Sequence, residues 1–307
     1  FVYEPFKKDA ANIYNMPLRP TDVFVASYQR SGTTWTQELV WLLVNDFDYD
    51  KAKVPLVERF KFLDGFIFFD ENCFEEHIKR MKEIKPEIDK KAFLSTLKMW
   101  AQPLSGMIAT LPSPRFIKTH LPISLLNPKL LDTSKMVYVA RDPRDVAVSC
   151  YHHSRLFHIM TFAGGFKEFW HLFYRDLFTL LPYFEHVKEA WDNRNHPNML
   201  FVFYEELSKD LPATIRRVSH FLGKEVNEEQ MDRLCDHLSF ENFKKNASVN
   251  FEDMRELGIL AKDETFIRKG KMGGWRDYFD EEMSAQAQQW IDDNLRDSDL
   301  RFPHMDK

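Results

Sequence analysis

The 307-residue chain has three cysteines, Cys73, Cys150 and Cys235, far apart and in neither a CxxC nor a metal-ligand spacing. An odd, scattered set argues against a disulfide framework or a thiolate metal centre and for a reducing compartment. Basic residues are not in excess: 42 Lys and Arg stand against 47 Asp and Glu, for a formal net charge of −5 and a pI of about 6.2. That balance argues against a nucleic-acid partner, and any anion site must be a local cluster of cations. No apolar run is long enough to span a bilayer, and no basic stretch, apolar core and cleavage site follow one another near the start. A soluble, cytoplasmic protein with no membrane partner is expected. Repeats, low-complexity tracts and Pro/Gly/Ser-rich linkers are missing as well, so one domain over 1–307 is expected.

Hydrophobic residues make up 44% of the chain, and phenylalanine is abundant at 28 residues. An aromatic-rich core and a flat aromatic pocket both account for it. Short β-rich apolar runs at 22–28, 115–118, 136–140 and 199–203 alternate with helical patterns, which predicts an α/β fold with a central parallel sheet flanked by helices. Between 65 and 111 the pattern changes to charge-dense, helix-favouring sequence, read as an inserted helical segment. The second half is mostly helical, at 166–193, 211–222, 228–237 and 281–295.

The first strand runs into Tyr28-Gln29-Arg30-Ser31-Gly32-Thr33-Thr34-Trp35 and then a helix with Trp35, Leu39 and Leu42 on one face. Exposed N–H groups and the positive end of a helix dipole would face an anion there. Gly32 permits close approach, Arg30 adds charge, and the hydroxyls of Ser31, Thr33 and Thr34 add donors without negative charge. The pattern is not GxxxxGK[ST], lacking both the first glycine and the lysine of a Walker A loop. Three further segments carry matching chemistry. Lys118 and His120 close a strand two residues apart, so extended geometry points both to one face. Arg141 ends another strand, with Ser149 two helical turns on. Arg268-Lys269-Gly270-Lys271 is a cation cluster around a glycine. In an open α/β sheet, all of these belong beyond the carboxyl ends of the strands.

These four segments, in this order, resemble the cytosolic sulfotransferase family over nearly the whole chain. The resemblance implies a sulfuryl transfer from 3′-phosphoadenosine 5′-phosphosulfate (PAPS), leaving PAP, with a P-loop-like loop from Arg30 to Trp35 around the 5′-phosphosulfate. It assigns the 3′-phosphate to Arg141, Ser149, Arg268, Lys269 and Gly270, the adenine surroundings to Trp35, Tyr204, Leu238 and Phe240, and the acceptor's general base to His120 beside Lys118. The family's usual Pro-Lys is Gln29-Arg30 here, and a planar guanidinium does not substitute simply for an ammonium. The family's C-terminal dimer segment is not recognisable in 276–281, so a monomer or a homodimer is expected. The Gln-Arg loop, the 65–111 insertion and the stretch 182–191 resemble the retinol dehydratase branch known from moths, in which sulfation is followed by elimination.

Sulfuryl transfer, like phosphoryl transfer, rests on positioning and charge stabilisation, so Arg30 and Lys118 are expected to steady the reacting oxygens. Arg141 stands where a Walker-B-type strand would offer Asp, so side-chain cations replace a metal and no metal is expected. A neutral imidazole at His120 would take the acceptor's proton. His152, His153 and His158 lack carboxylate or cysteine partners at metal spacing and are read as structural. Phe62, Phe66 and Phe69, at near-helical spacing, face either a small apolar hydroxyl acceptor or the core, and the insertion would act as a lid. The classes left open are a sulfotransferase, a lyase that uses sulfation to activate a leaving group, and a nucleotide-binding protein without catalysis.

Overall fold

The predicted apolar runs form four strands of one parallel sheet, and the computed structural model adds a two-residue strand at an edge. The structure describes residues 4–160, 162–180, 182–251, 254–255, 259–261 and 263–303. The strands are β1 (Val23–Ala26), β2 (Lys61–Phe62), β3 (Phe116–Thr119), β4 (Lys135–Ala140) and β5 (Met199–Phe203), in the order β2-β3-β1-β4-β5 with every pair parallel. β1 lies between β3 and β4, so the chain winds to one edge first and crosses to the other side only after β3. Loops leaving such a reversal part from one another and open a crevice at the carboxyl ends of the strands.

A parallel sheet is covered on both faces, so its strands can be apolar throughout, and the two-residue period sorts their side chains. Phe24, Ala26, Ile117, Tyr138 and Phe201 enter one core; Val23, Val25, Val137, Val139 and Val202 enter the other. At the amino ends of the strands, fully buried Arg115 and Asp22 form an ion pair, one arm of it 2.7 Å from Nε to Oδ1. Removing either partner would strand a buried charge at a cost of about 3–5 kcal/mol.

The longer helices are α1 (Thr33–Val44), α2 (Phe74–Ile84), α3 (Lys90–Trp100), α4 (Pro143–Leu156), α5 (Phe166–Tyr174), α6 (Tyr183–Asp192), α7 (Leu211–Leu222), α8 (Glu228–Leu238) and α9 (Glu281–Leu295). Local chemistry sets their starts. Asp142 accepts from Arg144 N at 2.9 Å with Pro143 as first residue of α4, and Asp280 accepts from Met283 N at 2.8 Å before α9. The stretch 166–193, expected as continuous helix, is instead α5 and α6. Asp176 and Leu180 take left-handed φ of 58° and 60°, and Pro182 caps α6, so the helix cannot run through.

The 65–111 stretch is mostly helical, and its helices are split by Pro86 and by Asp89, which accepts from Lys91 N and Ala92 N at the start of α3. Phe74, Ile78, Met81, Phe93 and Leu97 pack together and onto Phe157, Ile159 and Met160 past the end of α4, a small core apart from the two sheet cores. Among the described residues, no helix is long and apolar enough to cross a membrane.

Candidate active site

The loop after β1 turns through Arg30, with φ 65°, and Gly32, with φ 104°, before α1 starts. The first-turn N–H groups of α1 lack intrahelical acceptors and form the positive end of its dipole. A Cβ on Gly32 would sit 2.7 Å from Tyr204 Cδ2, so only glycine lets this loop close on that ring. Thr33 Oγ1 lies 2.6 Å from Ser27 Oγ, and Thr34 is half-buried on the first turn. Ser31 Oγ is buried with no hydrogen-bond partner among the described residues. An orphaned buried hydroxyl costs about 1–3 kcal/mol, which a ligand oxygen would relieve.

β3 carries Lys118 and His120 to the mouth of the same crevice. His120 Nδ1 lies 2.8 Å from the Ser27 carbonyl, an acceptor, so the proton is on Nδ1 and the lone pair on Nε2. Nε2 has no partner among the described residues. The His120 main-chain N–H donates to the Asp64 carboxylate at 3.0 and 3.1 Å. Phe62 of β2 meets the imidazole edge to face at 5.2 Å and carries the Lys118 ammonium 4.0 Å above its ring. Burial, and then the Lys118 charge, hold His120 well below the usual histidine range, so it is a neutral base at pH 7. Burial also lowers Lys118 to about 8, against the pull of Asp64. Asp64 itself is pushed up to about 6 by burial.

At the end of β4, Arg141 lies 4.1 Å over the Tyr204 ring and 3.8 Å from Asp145 Oδ2, and its Nε is buried without a partner among the described residues. Asp145 in turn accepts from Gly273 N and Trp275 N, which brings the C-terminal loop over the crevice. Arg30 bends toward this wall rather than along its own loop. Its Nε donates to Ser149 Oγ at 3.2 Å, Nη2 donates to the Phe266 carbonyl at 2.9 Å, and the guanidinium covers the Phe266 ring at 4.6 Å. Burial lowers Arg30 to about 10.

The fourth wall joins α1, α8 and the 268–270 loop. The Trp35 indole N–H donates to the Leu238 carbonyl at 2.9 Å, and its ring lies 5.7 Å from that of Tyr204. The Leu238 side chain is fully buried, so it is the Leu238 carbonyl, not the side chain, that meets Trp35. Phe240 presses on Gly270, where φ is 58° and a Cβ would sit 2.1 Å from Phe240 Cδ2. Arg268 Nη1 lies 3.4 Å from Tyr278 Oη and Lys269 Nζ lies 3.5 Å from Asp277, both toward the open rim.

The expected residues thus gather around one crevice, with two exceptions. Phe66 is 1% exposed inside the sheet core, and Phe69 packs on Trp100 at 5.3 Å, because β2 ends at Phe62 and Gly65–Phe68 form a short 3-10 helix rather than one continuous α-helix through all three. Only Phe62 of the three stands beside His120. Asp64 escaped the sequence reading, and His153, read there as structural, lies near the crevice. From beneath, Asp64 accepts from the His120 main-chain N–H. His153 follows Ser149 by one turn of α4, packs on Phe157 at 5.0 Å and Phe266 at 6.2 Å, and has no hydrogen-bond partner among the described residues. The i, i+4 spacing to Ser149 was the available signal. His152 is structural, held between Glu264 and Tyr278 at 2.9 and 2.7 Å.

Residues 20–299 match the Sulfotransferase domain family. A luciferin sulfotransferase of Photinus pyralis is 34% identical over 93% of this chain and 75% of its own length. A crystal structure of retinol dehydratase in complex with androsterone and inactive cofactor PAP is 58% identical, with a TM-score of 0.94 over 99% of this chain and 89% of that one. A retinol dehydratase complex with retinol and PAP is 59% identical, again at 0.94, over 98% of this chain and 89% of that one. With a cationic loop at a sheet reversal, a neutral imidazole beside it and these likenesses, the chain belongs to the sulfotransferase family and is a PAPS-dependent transferase.

Proposed function

We propose that this enzyme places a sulfuryl group from PAPS on the hydroxyl of a small, largely apolar acceptor, with His120 as general base. The observation that carries this is the state of the imidazole: one tautomer, set by the Ser27 carbonyl, with Nε2 unpartnered among the described residues and the Lys118 ammonium over the Phe62 ring that the imidazole also meets. PAPS supplies the sulfuryl group, whose bond to the leaving phosphate oxygen breaks as the acceptor oxygen attacks in line. His120 Nε2 receives the acceptor proton. Lys118 and Arg30 would balance the charge on the sulfuryl and bridging oxygens, which requires Arg30 to turn from Ser149.

The crevice fits the donor. Ser31, Gly32, Thr33 and Thr34 would hold the 5′-phosphosulfate, and the orphaned Ser31 Oγ supports this. Arg141, Ser149, Arg268, Lys269 and Gly270 would hold the 3′-phosphate, supported by the orphaned Arg141 Nε. Trp35, Tyr204, Phe240 and the Leu238 carbonyl that steadies Trp35 would enclose adenine. On the acceptor side, Phe62 and His153 would contact the apolar molecule, with Phe66 backing them from the core. The 65–111 segment would close as a lid that keeps water from the transfer. Deleting 74–100 and finding acceptor preference unchanged would refute the lid.

The neighbours crystallised with retinol and androsterone support an apolar alcohol of that size. Their likeness also favours a second outcome, in which the ester loses sulfate with the C–O electron pair and a proton to leave an alkene. Incubation with PAPS and a panel of retinoids, steroids, phenols and aliphatic alcohols, resolved by mass, tests both. An acceptor heavier by SO3 supports transfer, and one lighter by water supports elimination. No product from any acceptor, with no PAP formed, would sink the proposal.

A further inference from the structure

Beyond the residues that face the crevice, α6 reaches both of its chemical ends from behind. β3 ends at Thr119 and β4 at Ala140, so the carbonyls of His120 and Arg141 lie one residue past their ladders. Each is taken up by a side chain of α6. Tyr183 Oη donates to the Arg141 carbonyl. His186 Nε2 lies 2.9 Å from the His120 carbonyl. A carbonyl only accepts, so His186 carries its proton on Nε2 and accepts at Nδ1 from Tyr138 Oη, 2.7 Å away on β4.

Tyr183 and His186 are three residues apart and so neighbours on one helix face. Both are buried, and the Tyr28 ring at the start of the anion loop stands against them at 5.1 and 5.8 Å. Glu189, one further turn along, accepts from Ser124 N at 2.6 Å and ties α6 to the chain leaving β3. The base is therefore held at three points by three separate elements: its N–H by Asp64, its ring by Ser27 and its carbonyl by His186. Burial lowers His186 to about 4, so the ring is neutral at pH 7, and the His120 carbonyl, which only accepts, keeps its proton on Nε2.

We propose that α6 is a positioning element for the transfer: His186 sets the peptide that carries the base, Tyr183 sets the peptide that carries Arg141, and one rigid helix fixes the spacing between them. This rests on the function proposed above. The two contacts should separate in kinetics, since one orients the proton acceptor and the other the nucleotide anchor. A misplacement of about 1 Å at the base costs on the order of 100-fold in rate.

The test uses the full chain, PAP as the calorimetric probe, and whichever panel acceptor the wild-type enzyme consumes fastest. His186→Leu should lower kcat by about 10- to 100-fold with PAP affinity within about twofold, and His186→Gln, which keeps a donor and an acceptor, should recover most of the loss. Tyr183→Phe should invert the pattern, weakening PAP by about fivefold, one net hydrogen bond, with kcat at saturating PAPS nearly unchanged. Full kcat in His186→Leu, or the same kcat and affinity losses in both variants, would overturn the role of α6. If His186→Leu does not fold by circular dichroism, Tyr183→Phe decides: unchanged PAP affinity overturns the proposal and a selective loss of affinity sustains it. A wild-type enzyme that neither binds PAP nor consumes PAPS would instead sink the function itself.

Discussion

Gly32→Ala puts the smallest possible side chain at the tightest point of the site. An L-residue at φ 104° is strained by about 1–2 kcal/mol, the penalty for left-handed backbone. The new Cβ would also lie 2.7 Å from Tyr204 Cδ2, and reaching ordinary contact near 3.5 Å requires the ring to retreat by roughly 0.8 Å. Tyr204 is not free to do so, because its ring carries the Arg141 guanidinium at 4.1 Å and that guanidinium faces Asp145 at 3.8 Å. The strain therefore passes from the loop after β1 to Arg141, the residue proposed to hold the 3′-phosphate. If even 1.4 kcal/mol of it is felt on binding, affinity for PAP falls about tenfold. Calorimetric titration with PAP measures this directly, with thermal unfolding recorded alongside. A Gly32→Ala enzyme that binds PAP within about twofold of the wild type, a difference of roughly 0.4 kcal/mol, would refute the coupling through Tyr204.

Four further outcomes are expected. His120→Ala should lose about 100- to 10,000-fold in kcat, the usual worth of a general base, while still binding PAP; near-full turnover would remove His120 from that role. Arg141→Ala should raise the PAP dissociation constant more than about tenfold through loss of a charge-assisted contact, and an unchanged constant would contradict its place at the 3′-phosphate. The kcat/KM profile reports the free enzyme: Lys118, held near 8, is charged below that pH and loses its proton above it, so activity should fall on the alkaline side. Lys118→Arg keeps the charge and should abolish that limb, and a limb that persists would point to another group. His153→Phe should raise KM for an alcohol by about fivefold, one net hydrogen bond, with PAP affinity unchanged; a shift in PAP affinity instead would move His153 to the nucleotide side.

The local polarity of the site follows from which groups share it. Arg30, Lys118 and Arg141 crowd one crevice whose carboxylates, Asp64 and Asp145, accept main-chain N–H groups. Desolvation dominates each resolved shift at these residues, lowering Arg30 and Lys118 and raising Asp64 and Asp145. A polyanionic donor bound there would supply the missing negative charge, since a local cluster of cations can face an anion even in a chain of net charge −5.

Strand positions, the turn ahead of α1 and the strand-end cations were all legible from residue order, because periodicity and turn chemistry act between residues a few positions apart. The loop after β1 could be read from Ser31-Gly32-Thr33 alone, and its fit to Tyr204 could not. Folding alone decided what meets across gaps of tens to hundreds of residues: Asp64 under His120, Arg30 on Ser149, His153 beside Phe266, and α6 behind both strand ends. It also decided protonation, since the Nε2 lone pair of His120 exists because Ser27 is there to accept at Nδ1, and the low value of Lys118 exists because β3 buries it. Short-range pattern is written in neighbouring residues, while through-space partners and desolvation arise only when the parallel strands bring distant segments to one edge.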